Sequence, residues 1–293
     1  MKPADVFIAV LVAVIWGSAF VLSRIALNEL SPELMTALRF TIAAAPCLVV
    51  PRPKVAWPTL IAISFTLFLG QFLAQAYGIA GGVPVGLTSV IVQSQALFTI
   101  AFAAMLFGER STRMQTLGIA IAAIGLLMIC GTVGYDFSVS AFAVLMISPI
   151  SFAAGNLLLR RAQGVPMFDL FAWLCLVAAV PLLALALLDN GLAPTWHELS
   201  HISFPVVLCL LGIGLVSTSF AYWLWGRLLR DHPAAQVVPF ALLVPFVGSA
   251  ASSIVFGETF GRLRLAGMLT VVGGIAVMLL AKRAQILPKT AGA

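Results

Sequence analysis

Long apolar runs, separated by short charged stretches, recur along the whole chain. A helix needs about 20 apolar residues to cross the hydrocarbon core of a bilayer, and ten runs come close to this length. The runs are continuous and not alternating, which favours helices over barrel strands. In chain order, spans 1 to 10 are Val6–Leu22, Pro32–Val50, Val55–Tyr77, Pro84–Phe107, Met114–Thr132, Val139–Leu159, Phe168–Leu188, Phe204–Trp225, Ala234–Phe256 and Leu265–Ala281. The pattern predicts an all-α integral membrane protein with ten transmembrane helices.

Composition and charge agree with this interpretation and orient the helices. Hydrophobic residues make up 62% of the 293 residues and charged residues 9%, whereas soluble domains carry about 25% charged residues. Alternating crossings place twelve Lys and Arg residues on one side and three, Arg24, Arg262 and Arg264, on the other. This bias follows the positive-inside rule and predicts cytoplasmic N and C termini. The net charge of +6 is therefore an orientation signal, and no nucleic-acid partner is expected.

A repeat at an offset of 149 residues is the most specific signal in the sequence. The motif Phe-Gly-Glu at residues 107–109 recurs at residues 256–258. Further matches at the same offset are Pro84 with Pro233, Ala101 with Ala250, Arg113 with Arg262, Gly118 with Gly267 and Gly125 with Gly274. Apolar bias alone does not maintain such spacing, so the repeat indicates that one half of the chain is a copy of the other.

The copy must be inverted, because five spans are an odd number of crossings. We therefore expect two inverted five-helix repeats, residues 1–134 and 135–293, around a central cavity, as in many secondary transporters. Gly108 and Gly257 suit the left-handed backbone that ends a helix. Glu109 stands four residues before Arg113, in the order that favours an ion pair. The glycines of spans 5 and 10 predict close contact between helices.

Several motifs resemble the EamA branch of the drug/metabolite transporter superfamily. They are Trp16-Gly17-Ser18 in span 1, Arg39-Phe40 in span 2 and the twice-occurring Phe-Gly-Glu. Within this branch the sequence is similar to the YddG-type exporters of aromatic amino acids. The resemblance implies a cavity lined by spans 1, 3, 4, 6, 8 and 9, and export across the bacterial inner membrane. The chain departs from the family at Ala96, where span 4 usually has a proline, whereas Pro245 in span 9 keeps it.

Neutral amides inside the spans are candidates for substrate binding. Gln71 and Gln75 in span 3 are four residues apart and therefore share a face. Gln93 lies in span 4, four residues after Ser89. Polar groups in spanning helices usually face a cavity or the protein interior, where an amide can bind the carboxylate or ammonium of an amino acid. The alternative is a hydrogen bond between helices.

Aromatic residues and one buried cation extend this candidate site. Trp16 and Tyr222 could stack on an aromatic solute, whereas Tyr77 and Trp225 are expected in the interfacial belts. Arg39 is the one charge well inside a span. It could clamp a substrate carboxylate, or it could anchor the helix by reaching Glu33, Glu29 or helix-end carbonyls.

The acidic residues all lie at or beyond the ends of the spans, so no carboxylate occupies a helix centre where proton coupling would be expected. Facilitated movement down the solute's own gradient is the simpler hypothesis. The four cysteines stand singly inside apolar runs, which argues against a metal or redox role. No cofactor is expected. The pattern leaves the oligomeric state open, and a monomer is compatible with it.

One enzyme motif offers an alternative function. His197-Glu198-Leu199-Ser200-His201 matches the zinc-protease pattern of two histidines one helical turn apart and a glutamate base. A simpler interpretation is that Thr195 and Glu198 form a capping box at the start of a short helix. A membrane scaffold without transport activity is a second alternative. We expect a non-enzymatic transporter that works by alternating access on neutral amino acids, with aromatic ones favoured.

Overall fold

The structure is a computed structural model, and it describes residues 1–108, 112–132, 134, 137–162 and 164–286. Within these ranges the regular structure is entirely helical. The helices are α1 Pro3–Ala26, α2 Pro32–Ala43, α3 Trp57–Ala80, α4 Val85–Phe107, α5 Arg113–Cys130, α6 Val139–Ala162, α7 Met167–Asn190, α8 Leu192–Ser200, α9 Phe204–Asp231, α10 Val238–Phe256 and α11 Arg262–Ile286. The predicted contact between Glu109 and Arg113 lies outside the described residues.

Nine of these helices, all except α2 and α8, are long and apolar enough to cross a membrane, counting the described residues alone. Their apolar faces turn outward in large part, with side chains such as Leu188, Ile254 and Met105 more than three-quarters exposed. A soluble protein rarely exposes so much contiguous apolar surface. The chain is a multi-pass membrane protein.

Helix α2 is shorter than the predicted span Pro32–Val50. Its regular α-helix ends at Ala43, and a 3₁₀ turn follows at Ala45–Leu48. Pro46 has no N–H to donate and its ring obstructs the preceding turn, which disfavours continuation of the regular α-helix at this position. Twelve helical residues cover about 18 Å, which explains why α2 does not meet the length criterion alone.

Helices α5 and α11 pack directly against each other through glycines. A Cβ atom at Gly118 would lie 2.7 Å from the carbonyl oxygen of Gly274, and one at Gly125 would lie 2.7 Å from that of Gly267. The contact runs from 118 to 125 on one helix and from 274 to 267 on the other, so the helices are antiparallel. The close approach predicted from these glycines is present. Gly108 and Gly257 also end α4 and α10 in the left-handed conformation, with φ of 64° and 66°.

Helices α3 and α9 each contain a π-helical segment, at Phe65–Gly70 and at Gly212–Phe220. The two segments overlap when the repeat offset is applied. Each is tied to a neighbouring helix through a backbone carbonyl: Ser151 Oγ donates to the Thr66 oxygen (2.8 Å), and Trp16 Nε1 donates to the Ser217 oxygen (3.1 Å). Such segments are rare and frequently lie at functional sites.

Candidate functional site

A cavity of about 850 Å³ lies in the middle of the helices. The six helices implied by the family resemblance, α1, α3, α4, α6, α9 and α10, all contribute to it, together with α2, α5, α7 and α11. All six candidate residues line this cavity, namely Trp16, Arg39, Gln71, Gln75, Gln93 and Tyr222. Positions that are up to about 200 residues apart in the sequence therefore share one enclosed space.

Aromatic rings form one wall of the cavity. The ring of Trp16 lies 5.3 Å from that of Tyr222 and 5.1 Å from that of Trp225, measured between centroids. Phe171 meets Tyr222 edge to face at 4.8 Å. The hydrogen bond from Trp16 Nε1 to the Ser217 carbonyl fixes the indole in place. The interfacial role expected for Trp225 is wrong, because its ring packs on Trp16 and lines the cavity.

Arg39 is buried, with 4% of its surface exposed, and it lines the same cavity. Its Nε donates to Thr218 Oγ1 at 3.1 Å, and its guanidinium lies over the ring of Phe72 at 4.1 Å. This geometry contradicts the anchor that would reach Glu33 or Glu29, since the hydrogen bond runs to α9 instead. A cation held by a hydroxyl and a ring face keeps donors available for an anion.

The amides of α3 and α4 differ in what they contact. Gln71 and Gln75 are buried at 5% and 6% exposure, and Gln71 Oε1 has no hydrogen-bond partner. Gln93 Nε2 donates to the carbonyl of Ala241 at 3.0 Å. Gln93 therefore connects two helices, the alternative role considered for these amides, while Gln71 lines the cavity and its buried Oε1 has no partner. Buried polar atoms without a partner are uncommon in folded proteins.

Among the lining residues that sequence reasoning missed are Phe72 and Phe171. Both are apolar side chains within apolar helices, so neither hydropathy nor spacing distinguishes them from residues that face lipid. Phe72 is also adjacent to Gln71, and adjacent residues on a helix point about 100° apart. Both residues line the cavity, so the lining includes more than one face of α3.

The cavity extends towards the end of the bundle that carries the N-terminus of α1, and this end is its mouth. Gln115, Arg160, Met167 and Leu229 line this mouth, and Arg160 is exposed. At the opposite, closed end, every residue of α4 from Val85 to Val92 is buried.

The closed end is held by hydrogen bonds between distant helices. Ser249 Oγ donates to the Gly86 carbonyl at 3.3 Å, and Ser89 Oγ contacts the Pro245 carbonyl at 3.4 Å. Glu258 accepts from the backbone N–H groups of Val85 (2.6 Å) and Gly86 (2.9 Å). A carboxylate at a helix N-terminus is favoured by the helix dipole, so Glu258 caps α4.

Two further glutamates cap helices at the same end. Glu198 accepts from the N–H and the hydroxyl of Ser31, at the start of α2, at 2.9 and 3.0 Å. Glu29 accepts from the N–H and the hydroxyl of Ser203, at the start of α9, at 2.9 and 2.6 Å. The hydrogen bonds from Ser203 hold the pKa of the Glu29 carboxyl below its ordinary value.

The zinc-protease interpretation of residues 197–201 does not fit this geometry. Glu198 is engaged by Ser31, and the rings of His197 and His201 stack at 4.1 Å. Among the described residues no group of three or more potential metal ligands occurs. The predicted capping box is also wrong: Thr195 lies inside α8 and donates to the Gly191 carbonyl at 2.8 Å.

Comparison with known proteins extends these observations. The EamA-like transporter family matches the chain at residues 4–131 and again at residues 139–280. A probable amino-acid metabolite efflux pump of Salmonella typhimurium is 33% identical over 299 residues, covering 100% of both chains. A protein of the same description from Escherichia coli is 31% identical, over 94% of this chain and 95% of its own.

A solved crystal structure supports the fold alone. It covers 97% of this chain and 100% of its own, with a TM-score of 0.63 and 20% identity. The family match spans nearly the whole described bundle, and the cavity lies between its two matched segments. The chain belongs to the EamA-like transporter family and is a membrane transporter, not an enzyme.

Proposed function

We propose that this protein exports neutral amino acids, with aromatic ones favoured, across the bacterial inner membrane by alternating access. The observation that carries the proposal is the combination, in one cavity, of an aromatic wall with Arg39 and the unpaired acceptor of Gln71. The ring faces suit an aromatic side chain, and the guanidinium suits a carboxylate. The two relatives described as probable amino-acid metabolite efflux pumps support this class of cargo.

The proposal includes ten crossings arranged as two inverted repeats, residues 1–134 and 135–293. Helix α2 with its following 3₁₀ turn supplies the tenth crossing. The antiparallel contact of α5 with α11 supports the inversion, because Gly118 meets the counterpart of Gly125 and Gly125 meets the counterpart of Gly118. Such reciprocal contacts are what a two-fold axis between the repeats requires.

The side of the membrane to which the cavity opens follows from the distribution of Lys and Arg along the sequence. Cytoplasmic termini place the mouth, next to the N-terminus of α1, on the cytoplasmic side, and the closed end on the outer side. The structure then corresponds to an inward-facing state, ready to receive solute from the cytoplasm. No described carboxylate lines the cavity, so movement down the solute's gradient is the simplest mechanism.

Efflux from proteoliposomes tests this function. Vesicles are loaded in turn with phenylalanine, tryptophan, leucine, alanine and lysine, with and without a pH gradient. We expect saturable efflux that is fastest for the aromatic amino acids and unaffected by the gradient. Efflux of lysine at the same rate, or none of any amino acid above that of empty vesicles, would overturn the proposal.

Variants connect the function to the cavity. Trp16→Ala removes one ring of the aromatic wall, and we expect KM for phenylalanine to rise about three- to tenfold, as for loss of an aromatic contact of about 0.5–1.5 kcal/mol. Trp196→Ala is the matched control, since Trp196 is 67% exposed on α8, away from the cavity. Equal effects of the two substitutions would contradict the assignment of the site.

A further inference from the structure

Among the residues that the structure describes, those lining the inner part of the cavity carry a positive charge without a negative counterpart. Among the described lining residues the charged side chains are Arg39 and Arg160, and neither Asp nor Glu contributes. Arg160 lies at the mouth, with its guanidinium 5.1 Å from the ring centre of Phe107. Arg39 therefore sets the charge of the inner part, beside Trp16, Gln71 and Tyr222.

This positive charge repels the charged amino group of a bound amino acid. In a free amino acid the ammonium and the carboxylate are attached to the same carbon atom. When Arg39 holds the carboxylate, the ammonium lies near the guanidinium, and like charges repel strongly in a site that excludes water. The ring faces of Trp16 and Tyr222 attract a cation, but the described lining residues provide no carboxylate to neutralise it. An uncharged nitrogen avoids this cost.

The unpaired oxygen of Gln71 indicates which uncharged nitrogen fits. Gln71 lines the cavity and its Oε1 is buried without a hydrogen-bond partner, so a turn of the side chain towards the cavity lets this oxygen accept one hydrogen bond from a ligand. An amide N–H supplies one donor and no charge, whereas an ammonium brings three donors and a charge. Gln75, one turn further along α3 and also in the lining, carries an amide NH₂ that can donate to an acyl carbonyl.

We propose that the preferred substrates are N-acylated aromatic amino acids. Arg39 binds the carboxylate, Gln71 Oε1 accepts from the amide N–H, and the side-chain ring packs against the wall formed by Trp16 and Tyr222. The cavity volume of about 850 Å³ leaves room for the acyl group. This inference rests on the proposed function and narrows its substrate class.

Binding of three probes to the purified full chain tests the inference by calorimetry. The probes are N-acetyl-L-phenylalanine, L-phenylalanine and N-acetyl-L-phenylalanine methyl ester. We expect the first to bind at least about tenfold more tightly than either of the others, because phenylalanine carries the ammonium and the ester lacks the carboxylate. Phenylalanine binding as tightly as its N-acetyl derivative would overturn the inference, as would equal binding of the ester.

A charge introduced at Gln71 provides the sharper test. Gln71→Glu supplies the missing counter-charge, so we expect the order of affinities to reverse, with phenylalanine now tighter than N-acetyl-phenylalanine. Gln71→Leu removes the acceptor without adding charge and is expected to bring the two affinities closer together. Retention of the wild-type order in Gln71→Glu would overturn the assignment.

Gln236→Glu is the matched control, because it adds the same charge at an exposed position outside the cavity lining. We expect the wild-type affinity ratio in this variant; an equal reversal would overturn the role of Gln71.

Proteoliposome efflux separates the two proposals. Efflux of phenylalanine but not of N-acetyl-phenylalanine refutes this inference alone, and efflux of neither compound refutes both proposals.

Discussion

The two ends of the cavity are held together in different ways. At the closed end, Glu29, Glu198 and Glu258 each cap a helix whose start is more than 160 residues away in the sequence. At the mouth, a contact between distant parts of the chain places His232 Nε2 3.0 Å from a carboxylate oxygen of Asp5. Helices α4 and α10 touch at one end and separate around the cavity at the other. The closed end therefore combines charge-assisted hydrogen bonds to backbone N–H groups with buried apolar packing of α4 against its neighbours.

Locking the closed end should have the largest effect. A Cβ atom at Gly248 would lie 2.7 Å from that of Ser89, so the pair Ser89→Cys and Gly248→Cys can form a disulfide if the helices part by about 1 Å. In a background lacking the four native cysteines, we expect oxidation to reduce proteoliposome transport to background and reduction to restore it. Each single cysteine variant is the control. Full transport by the oxidised pair would show that this end does not open.

Removing one cap should loosen the closed end without locking or unfolding it. Glu258→Ala deletes the acceptor for the N–H groups of Val85 and Gly86. Hydrogen bonds to charged groups contribute about 1.5–3 kcal/mol, so the ratio of closed to open forms should fall roughly 10- to 100-fold. The measurement is the rate at which a bulky maleimide labels Ser89→Cys. Glu258→Gln, which keeps one acceptor, should give an intermediate rate; a rate unchanged by Glu258→Ala would contradict the proposed role of the cap.

The cap at Glu29 predicts a smaller, pH-dependent effect. Its pKa is lowered in the folded protein, so its stabilisation is present above the unfolded pKa of about 4.3 and is lost as the pH falls through the folded pKa. We expect the thermal midpoint of the wild type to decrease over this acidic range more than that of Glu29→Gln. Parallel pH profiles for the two proteins would refute the contribution of Glu29.

The contact at the mouth should contribute least. Asp5→Asn keeps an acceptor for His232 and removes the charge, so we expect the thermal midpoint at neutral pH to change less than in Glu258→Ala, because partly exposed ion pairs contribute little. Thermal unfolding in detergent measures it. A larger loss than that of Glu258→Ala would reverse the comparison between the two ends.

Much of this architecture could be predicted from the sequence because it depends on properties of single chain segments. Apolar length identifies the helices, and the glycines predicted close contact between helices, which α5 and α11 make. The end of α2 at Ala43 was missed because Pro46 interrupts a run that remains apolar beyond it. Polarity within the spans singled out Gln71, Gln75 and Arg39, since such groups rarely face lipid.

Other features depend on contacts that no local pattern encodes. Trp225 and Phe171 line the cavity, but an aromatic residue in an apolar helix carries the same signal whether it faces lipid or substrate. Glu198 was expected to cap its own helix, and it caps α2 instead, 167 residues away. Long-range pairing of this kind follows from how the helices assemble and not from spacing along one of them.

The π-helical segments determine the direction in which the polar face of each helix points, because each contains an additional residue. Successive residues of an α-helix are rotated by about 100°, and a π-helical segment accommodates one residue more than the α-helical turn it replaces. A chain shortened by one residue within Phe65–Gly70 could still form an unbroken apolar helix of nearly the same length. Its amides at Gln71 and Gln75, however, would swing by about that angle relative to the first half of α3. Deletion of one residue could thus leave the fold intact and turn the amides of Gln71 and Gln75 away from the cavity.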